Sequence, residues 1–282
     1  MKKNTAFDPQ DLVHFEAEAK VGLPATVGPD SLPHVTLISS IRAKTPTRLM
    51  WGQFSEGRSK RHVKQNPRTG FLILTMDKRM WRGKALWTHE AHEGEDFETY
   101  NDSPMFRYNA YFGIHTVHYM DLVETYGRKG LPMTRIVLSS LLTKLAKPGG
   151  AARPGEERIL KPWAEGLFNR LDALCFLCRV DREGFPVLTP LIQCQAAGSR
   201  QLVFSPMAYG EELGGLEEGR DVAVFGLTMD MEDVLVRGKF NFFTLPLLFL
   251  CFGPLFFLGT KIPAFNRIFF GYPDKPSAMS SS

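Results

Sequence analysis

Apolar positions in this chain fall mostly into short runs and alternations rather than long helical stripes. Arg48 to Phe54 (Arg-Leu-Met-Trp-Gly-Gln-Phe) is aromatic and apolar at strand length, and Ser55-Glu56-Gly57 stops it. Arg58 to Asn66 has no glycine and only Val63 as a β-branched residue. Pro67 then drives Asn66 out of helical geometry, so the pattern predicts a two-turn helix. Arg68 to Met76 is a continuous apolar strand, turned by Asp77-Lys78 into another from Met80 to Trp87. Upstream, Leu12, Phe15 and Ala19 behind Asp8 and Pro9 predict a lead-in helix over Asp8 to Val21. Leu23 to Val27 and His34 to Arg42 then form a hairpin across Gly28-Pro29-Asp30-Ser31. Downstream, Thr88 to Asp96 reads as a polar surface turn, Phe97 to Phe112 as an aromatic helical connection and His115 to Val123 as a closing strand. Met133 to Ala146 is an amphipathic helix.

The break Lys147-Pro148-Gly149-Gly150 and the polar stretch after it make a linker over 147–160, between a first domain 1–146 and a second 161–282. The second half echoes the first. Pro33, Thr36 and Leu74-Thr75-Met76-Asp77 recur as Pro186, Thr189 and Leu227-Thr228-Met229-Asp230 at an offset of 153 residues, and Arg82-Gly83-Lys84 recurs as Arg237-Gly238-Lys239 at 155. This order implies an internal duplication with a two-residue insertion before the second Arg-Gly-Lys.

Composition narrows the class. At 282 residues the chain can bury two cores, and a net charge of +4 without a long Lys/Arg tract argues against a nucleic-acid partner. Four cysteines and an N-terminus with no apolar core of signal-peptide length predict a cytoplasmic protein. Cys175 and Cys178 lie in a strand-like run that sends them to opposite faces, and no second Cys or Cys-His pair stands at ligand spacing. Buried thiols, and no metal, are expected.

The candidate chemistry sits at the predicted helix after Gly57. Its first turn brings backbone N–H groups, the Ser59 hydroxyl and the Arg58 and Lys60 cations together, with Lys64 one turn below. A phosphate monoester fits such a seat, although a basic helix start is also common on a solvated face. Met50-Trp51-Gly52, Gly57-Arg58-Ser59-Lys60, Asn66-Pro67-Arg68 and Gly83-Lys84-Ala85, in this order, resemble the FMN-binding split-barrel superfamily related to pyridoxamine 5′-phosphate oxidase. The resemblance covers about Ala25 to Val123. It implies a mainly β protein with attached helices, built as two tandem split β-barrels, that binds FMN noncovalently. By this resemblance Ser55, Arg58, Ser59, Lys60 and Lys64 hold the phosphate, Trp51, Gly52 and Gln53 line the ring or ribityl chain, and Gly83 and Lys84 flank the cofactor. Lys84 is either a tuner of the flavin ring or a solvated strand lysine.

The resemblance further implies an oxidoreductase acting on a small-molecule substrate or electron donor, with a homodimer as one way of completing the site. His34 and Ser39 stand where the oxidase has an Arg and a Lys, and its C-terminal substrate-binding segment has no counterpart, so pyridoxamine phosphate oxidation is not expected. The alternative on the same scaffold is a non-enzymatic flavin or haem binder, with His34, His115 or His118 as haem ligands; a third is a scaffold without cofactor. At the 153 offset Ser55, Arg58, Ser59 and Lys60 face Ala208, Glu211, Glu212 and Leu213, so the second copy is expected to bind no phosphate there. Tyr108, Tyr111 and Phe112 are candidates to cap a flavin or to fill core. Phe240 to Thr260 has no charged residue and the length to reach across a bilayer. Pro246, Gly253 and Pro254 interrupt it, which favours a buried or intersubunit helix over membrane contact.

Overall fold

Among the described residues, fifteen strands form two antiparallel sheets. In the computed structural model, which describes residues 2–17, 19–53, 55–103, 113–146, 158–192, 194–243 and 265–269, the first half contributes β1 (Lys20–Val27), β2 (Pro33–Val35), β3 (Arg42–Thr45), β4 (Arg48–Gln53), β5 (Arg68–Thr75), β6 (Arg79–Ala91), β7 (Thr116–Thr125) and the short β8 (Lys129–Gly130). The second contributes β9 (Leu174–Val180), β10 (Pro186–Pro190), β11 (Cys194–Ala196), β12 (Gln201–Phe204), β13 (Asp221–Leu227), β14 (Asp233–Phe243) and β15 (Phe265–Phe269). The sheet orders are β2-β1-β5-β6-β7-β4-β3, with β8 beside β6, and β10-β9-β13-β14-β15-β12-β11. Position for position, the second order is the first. The chain is therefore mainly β in two like units, and the duplication read from scattered residues is a duplication of topology.

Register corrects one detail of that duplication. Leu74 pairs with Met80 in the first hairpin, and Leu227 with Asp233 in the second. The offset of 153 thus holds on both sides of the turn, and the hairpin has no insertion. Lys84 accordingly corresponds to Arg237, while Lys239 of the second Arg-Gly-Lys lies two residues further along β14, opposite Asp221. Two residues preserve the face of a strand and move the side chain about 7 Å along it. The recurring triplet marks no equivalent site.

The helices among the described residues are α1 (Leu12–Phe15), α2 (Arg58–Gln65), α3 (Glu95–Asn101), α4 (Met133–Ala146), α5 (Pro162–Asn169) and α6 (Gly210–Leu213). Three expectations change. The lead-in helix shrinks to a 3-10 turn (Pro9–Asp11) and α1, because Trp81 Nε1 donates to Asp11 at 2.8 Å and pins that segment. The chain is already extended at Lys20 to pair with Thr75. Of the strand expected over His34 to Arg42 only β2 is regular; the Thr36 and Ile38 N–H groups still donate to the Pro24 and Gly22 carbonyls of β1, and the chain then turns between Ile38 and Ile41 into β3. Thr88 to Ala91 continue β6 and pair with β7, their polarity reflecting partly exposed positions rather than a turn. Of the apolar stretch from Phe240, residues 240–243 finish β14 rather than open a helix. Residues 244–260, Tyr108, Tyr111, Phe112 and linker residues 147–157 lie outside the described residues. Among the described residues no helix is long and apolar enough to cross a membrane.

Each sheet has its own core. Phe15, Trp51, Phe71, Trp81 and Met120 anchor the first; Phe168, Leu177, Phe204, Val224 and Phe240 anchor the second. Each large apolar side chain so buried contributes about 1.5–3 kcal/mol. By packing, one unit comprises Met1–Leu131 with Cys178–Leu188, and the other Pro132–Leu177 with Thr189–Ser282. The helix α4, placed in the first domain on sequence, belongs to the second unit. There Ser139 Oγ donates to the Ser205 carbonyl, and Thr143 Oγ1 accepts from the Ser205 N–H.

Gly83 has a steric role. A Cβ at this position would stand 1.9 Å from the Glu124 carbonyl oxygen on β7, beside a register shift at Lys84/Ala85. We expect Gly83→Ala to lower stability by about 3 kcal/mol in urea unfolding, since backbone rather than a movable side chain must yield. An unchanged midpoint would contradict so close a crossing.

Candidate functional site

The strand β4 ends at Gln53, a turn follows, and α2 opens after Gly57, whose backbone is extended and supplies no side-chain cap. The leading N–H groups of α2 are thus left to water or a ligand. Arg58 is exposed at this end. Lys60 is buried and folds back so that its ammonium donates to the Ser55 carbonyl and lies 3.6 Å from where a Gly57 Cβ would be. Other members of the predicted phosphate cluster are engaged elsewhere. Ser59 is buried, its hydroxyl bonded to that of Thr36, which also meets His34 Nε2 at 3.1 Å. Lys64 donates to Glu90 at 2.9 Å, and this bond above all holds the Glu90 carboxyl below the ordinary carboxylate range. Arg58, Lys60 and the helix end remain together; Ser59 fastens α2 to the residue after β2, and Lys64 fastens it to β6.

The ring-side candidates belong to a polar chain that is buried at Gln53 and His118 and ends at the exposed Glu56. Trp87 Nε1 donates to His118 Nδ1 at 3.1 Å, His118 Nε2 meets Gln53 Oε1 at 2.8 Å, and Gln53 Nε2 donates to Glu56 at 3.0 Å. Trp51 stacks on His118 at 3.9 Å between centroids. Trp51 is therefore a core residue with one face covered, and Gly52 is needed because a Cβ there would stand 2.7 Å from Ile114. His118 has 0% exposure, and burial pushes its pKa down to about 4, with the Glu90 carboxylate opposing the shift. It is neutral at pH 7 with both nitrogens engaged, which removes it as a ready haem ligand. His118, a haem candidate on sequence, joins this polar chain instead; Trp87, Glu56 and Glu90 were not among the sequence's site candidates, and only the alternation along β6 and β7 hinted that Trp87 and Glu90 lie near His118.

Lys84 is neither solvated nor free. At 5% exposure its ammonium lies 2.6 Å from Asp181, 2.9 Å from Glu183 and 3.3 Å from Glu124. Burial would lower its proton affinity, and the carboxylates more than reverse that. Burial would likewise raise Asp181. The Lys84 bond and the N–H groups of Phe185 and Glu183 outweigh it and hold the carboxyl below its ordinary range. Beside it Arg82 Nη1 donates to the Leu188 carbonyl at 2.9 Å. Lys84 is thus committed to the Cys178–Leu188 segment of its own unit, and Gly83 to the β6–β7 crossing.

In the second unit α6 takes the place of α2, and a cleft of about 340 Å³ is lined by Arg135, Tyr209, Glu211 and Glu212 among others. The two acids stand where the first unit has Arg58 and Ser59.

No family model matches this sequence, and no curated protein does. Solved structures show likenesses. One is an FMN-binding protein from Syntrophomonas wolfei subsp. wolfei, with 15% identity and a TM-score of 0.35 over 41% of this chain and 80% of that one. Group A Streptococcus HupZ matches at 12% identity and a TM-score of 0.35 over 43% and 93%. An F420 reductase matches at 18% identity and a TM-score of 0.34 over 40% and 93%. The fold assignment rests on the strand order of the two sheets.

Proposed function

We propose that the chain is an FMN-binding flavoprotein with one site per chain, at the α2 end of the first unit, and that it serves as a flavin-dependent oxidoreductase for a small-molecule substrate or electron donor. The observation that carries this reading is the uncapped start of α2, with the Arg58 guanidinium exposed beside it and the Lys60 ammonium folded over it. Bound there, a phosphate monoester would receive the first N–H groups of the helix, Arg58 and a re-aimed Lys60. Gln53 and the turn Ser55-Glu56-Gly57 would lie along the rest of the ligand. A flavin supplies hydride or electron transfer, while the protein's part is to grip the phosphate and exclude water from the ring. The second unit offers Glu211 and Glu212 instead, and repels a dianion.

The absorption spectrum of freshly purified protein tests the cofactor, with flavin bands expected and a Soret band contradicting it. Arg58→Ala combined with Lys60→Ala is expected to weaken FMN binding by about a hundredfold or more, since each charge-assisted phosphate bond contributes about 1.5–3 kcal/mol. Unchanged affinity in the folded double variant rejects the seat, and two equivalent sites per chain reject the asymmetry.

A further inference from the structure

The chain Trp87-His118-Gln53-Glu56 has a fixed direction. An indole N–H only donates and a carboxylate only accepts. With Trp87 donating to Nδ1, the His118 proton stands on Nε2 and is donated to Gln53 Oε1, so the Gln53 amide turns its NH₂ outward to the Glu56 carboxylate. Neither the histidine tautomer nor the amide can reverse while the two ends stay in place. The core thereby aims an amide donor at the turn that precedes α2, where it holds the Glu56 carboxylate.

Beside that carboxylate, the Ser55 carbonyl takes the Lys60 ammonium. Burial lowers the proton affinity of Lys60, and Glu56 acts in the opposite direction. We propose that Glu56 is the resident counter-anion of the seat, a specificity-determining residue that balances Lys60 until a phosphate monoester displaces it. This rests on the phosphate reading above and adds a selection rule. A ligand must outcompete one built-in negative charge, so a dianion enters and a monoanion such as a carboxylate does not. When no ligand is bound, Glu56 offsets one of the seat's two cations and Arg58 stays exposed.

Glu56→Gln keeps an oxygen that accepts from Gln53 and removes only the charge. Titration of purified apo-protein with FMN, inorganic phosphate and acetate reads the consequence. In Glu56→Gln we expect FMN and phosphate to bind about tenfold tighter than in wild type, acetate binding to appear, and the thermal midpoint to stay unchanged. Glu56→Ala should also tighten FMN binding, because the charge and not the hydrogen bond is what opposes it. Equal FMN affinity in wild type and both variants overturns the counter-anion while leaving the seat intact. Weaker binding in Glu56→Gln overturns it in favour of a supporting role for Glu56. Failure of wild type and variants alike to bind FMN or phosphate overturns the seat and this proposal together.

Discussion

A chain ending at residue 146 will not reach the stability of the first unit in the whole protein. Its sheet order is complete by β7, so a boundary in the linker looks sufficient on sequence. The missing piece is Cys178–Leu188, which packs in the first unit. It supplies Asp181 and Glu183 to Lys84 and the Leu188 carbonyl to Arg82, and it lays the Pro186 carbonyl where a Gly70 Cβ would stand, at 2.1 Å. Counting Lys84–Asp181 and Arg82–Leu188 as charge-assisted bonds of about 1.5–3 kcal/mol each, the loss is about 3–6 kcal/mol, against a typical total of about 5–15. Fragment 1–146 should therefore be recovered unfolded or with a much lower urea midpoint, and coexpression with 158–282 should restore it as a copurifying complex. A lone fragment as stable as the first transition of the full chain would sink this expectation. Within the full chain, Asp181→Ala should reproduce part of the loss, about 2 kcal/mol. Glu183→Ala should do almost nothing, its side chain being 68% exposed.

Acidification from pH 6.5 to 4 should destabilise the first unit through His118. The folded pKa is about 4 against an ordinary 6.5, so over that interval the unfolded chain binds the proton and the folded one does not. The contribution is fully present above pH 6.5, is lost as pH falls, and is gone below 4. A shift of that size corresponds to about 3 kcal/mol. His118→Gln should be less stable at pH 7, having lost a ring stacked on Trp51, yet lose less between pH 6.5 and 4. Urea unfolding at both pH values measures the difference, and an equal acid loss in the two proteins excludes His118 as its source. Asp181 and Glu124, whose folded carboxyls titrate below the ordinary range, add a separate loss at still lower pH.

Local punctuation was readable in the sequence and long-range pairing was not. The elements β4, α2, β5 and α4 fell within a residue or so of their expected limits, because Gly57, Pro67, Asp77 and Pro148 flank clear apolar periods. The start of β1 was missed because Lys20 and Val21 were read as the end of the lead-in helix and Gly22 looks like a breaker, whereas Gly22 sits in the strand opposite Ile73. Within the candidate site, the basic start of α2 was legible as charge next to a turn. What each cation touches was not: Lys64 meets Glu90 on β6, and Lys84 meets two acids about a hundred residues away. The Arg-Gly-Lys repeat misled for the same reason, since identical letters carry no register.

Because the first unit closes only with Cys178–Leu188, its completion is tied to the order of synthesis. Between the emergence of Leu131 and that of Leu188 a ribosome adds 57 residues, a wait of roughly 3–11 s at about 5–20 residues per second. During that interval the nascent first sheet already holds β1 to β7 but presents Arg82, Lys84 and Gly70 without their cover. The strands β9 and β10 arrive next, before β13, the later neighbour of β9 in the second sheet. Translation speed over residues 132–188 thus governs how long that surface is open to a chaperone or to a neighbouring nascent chain.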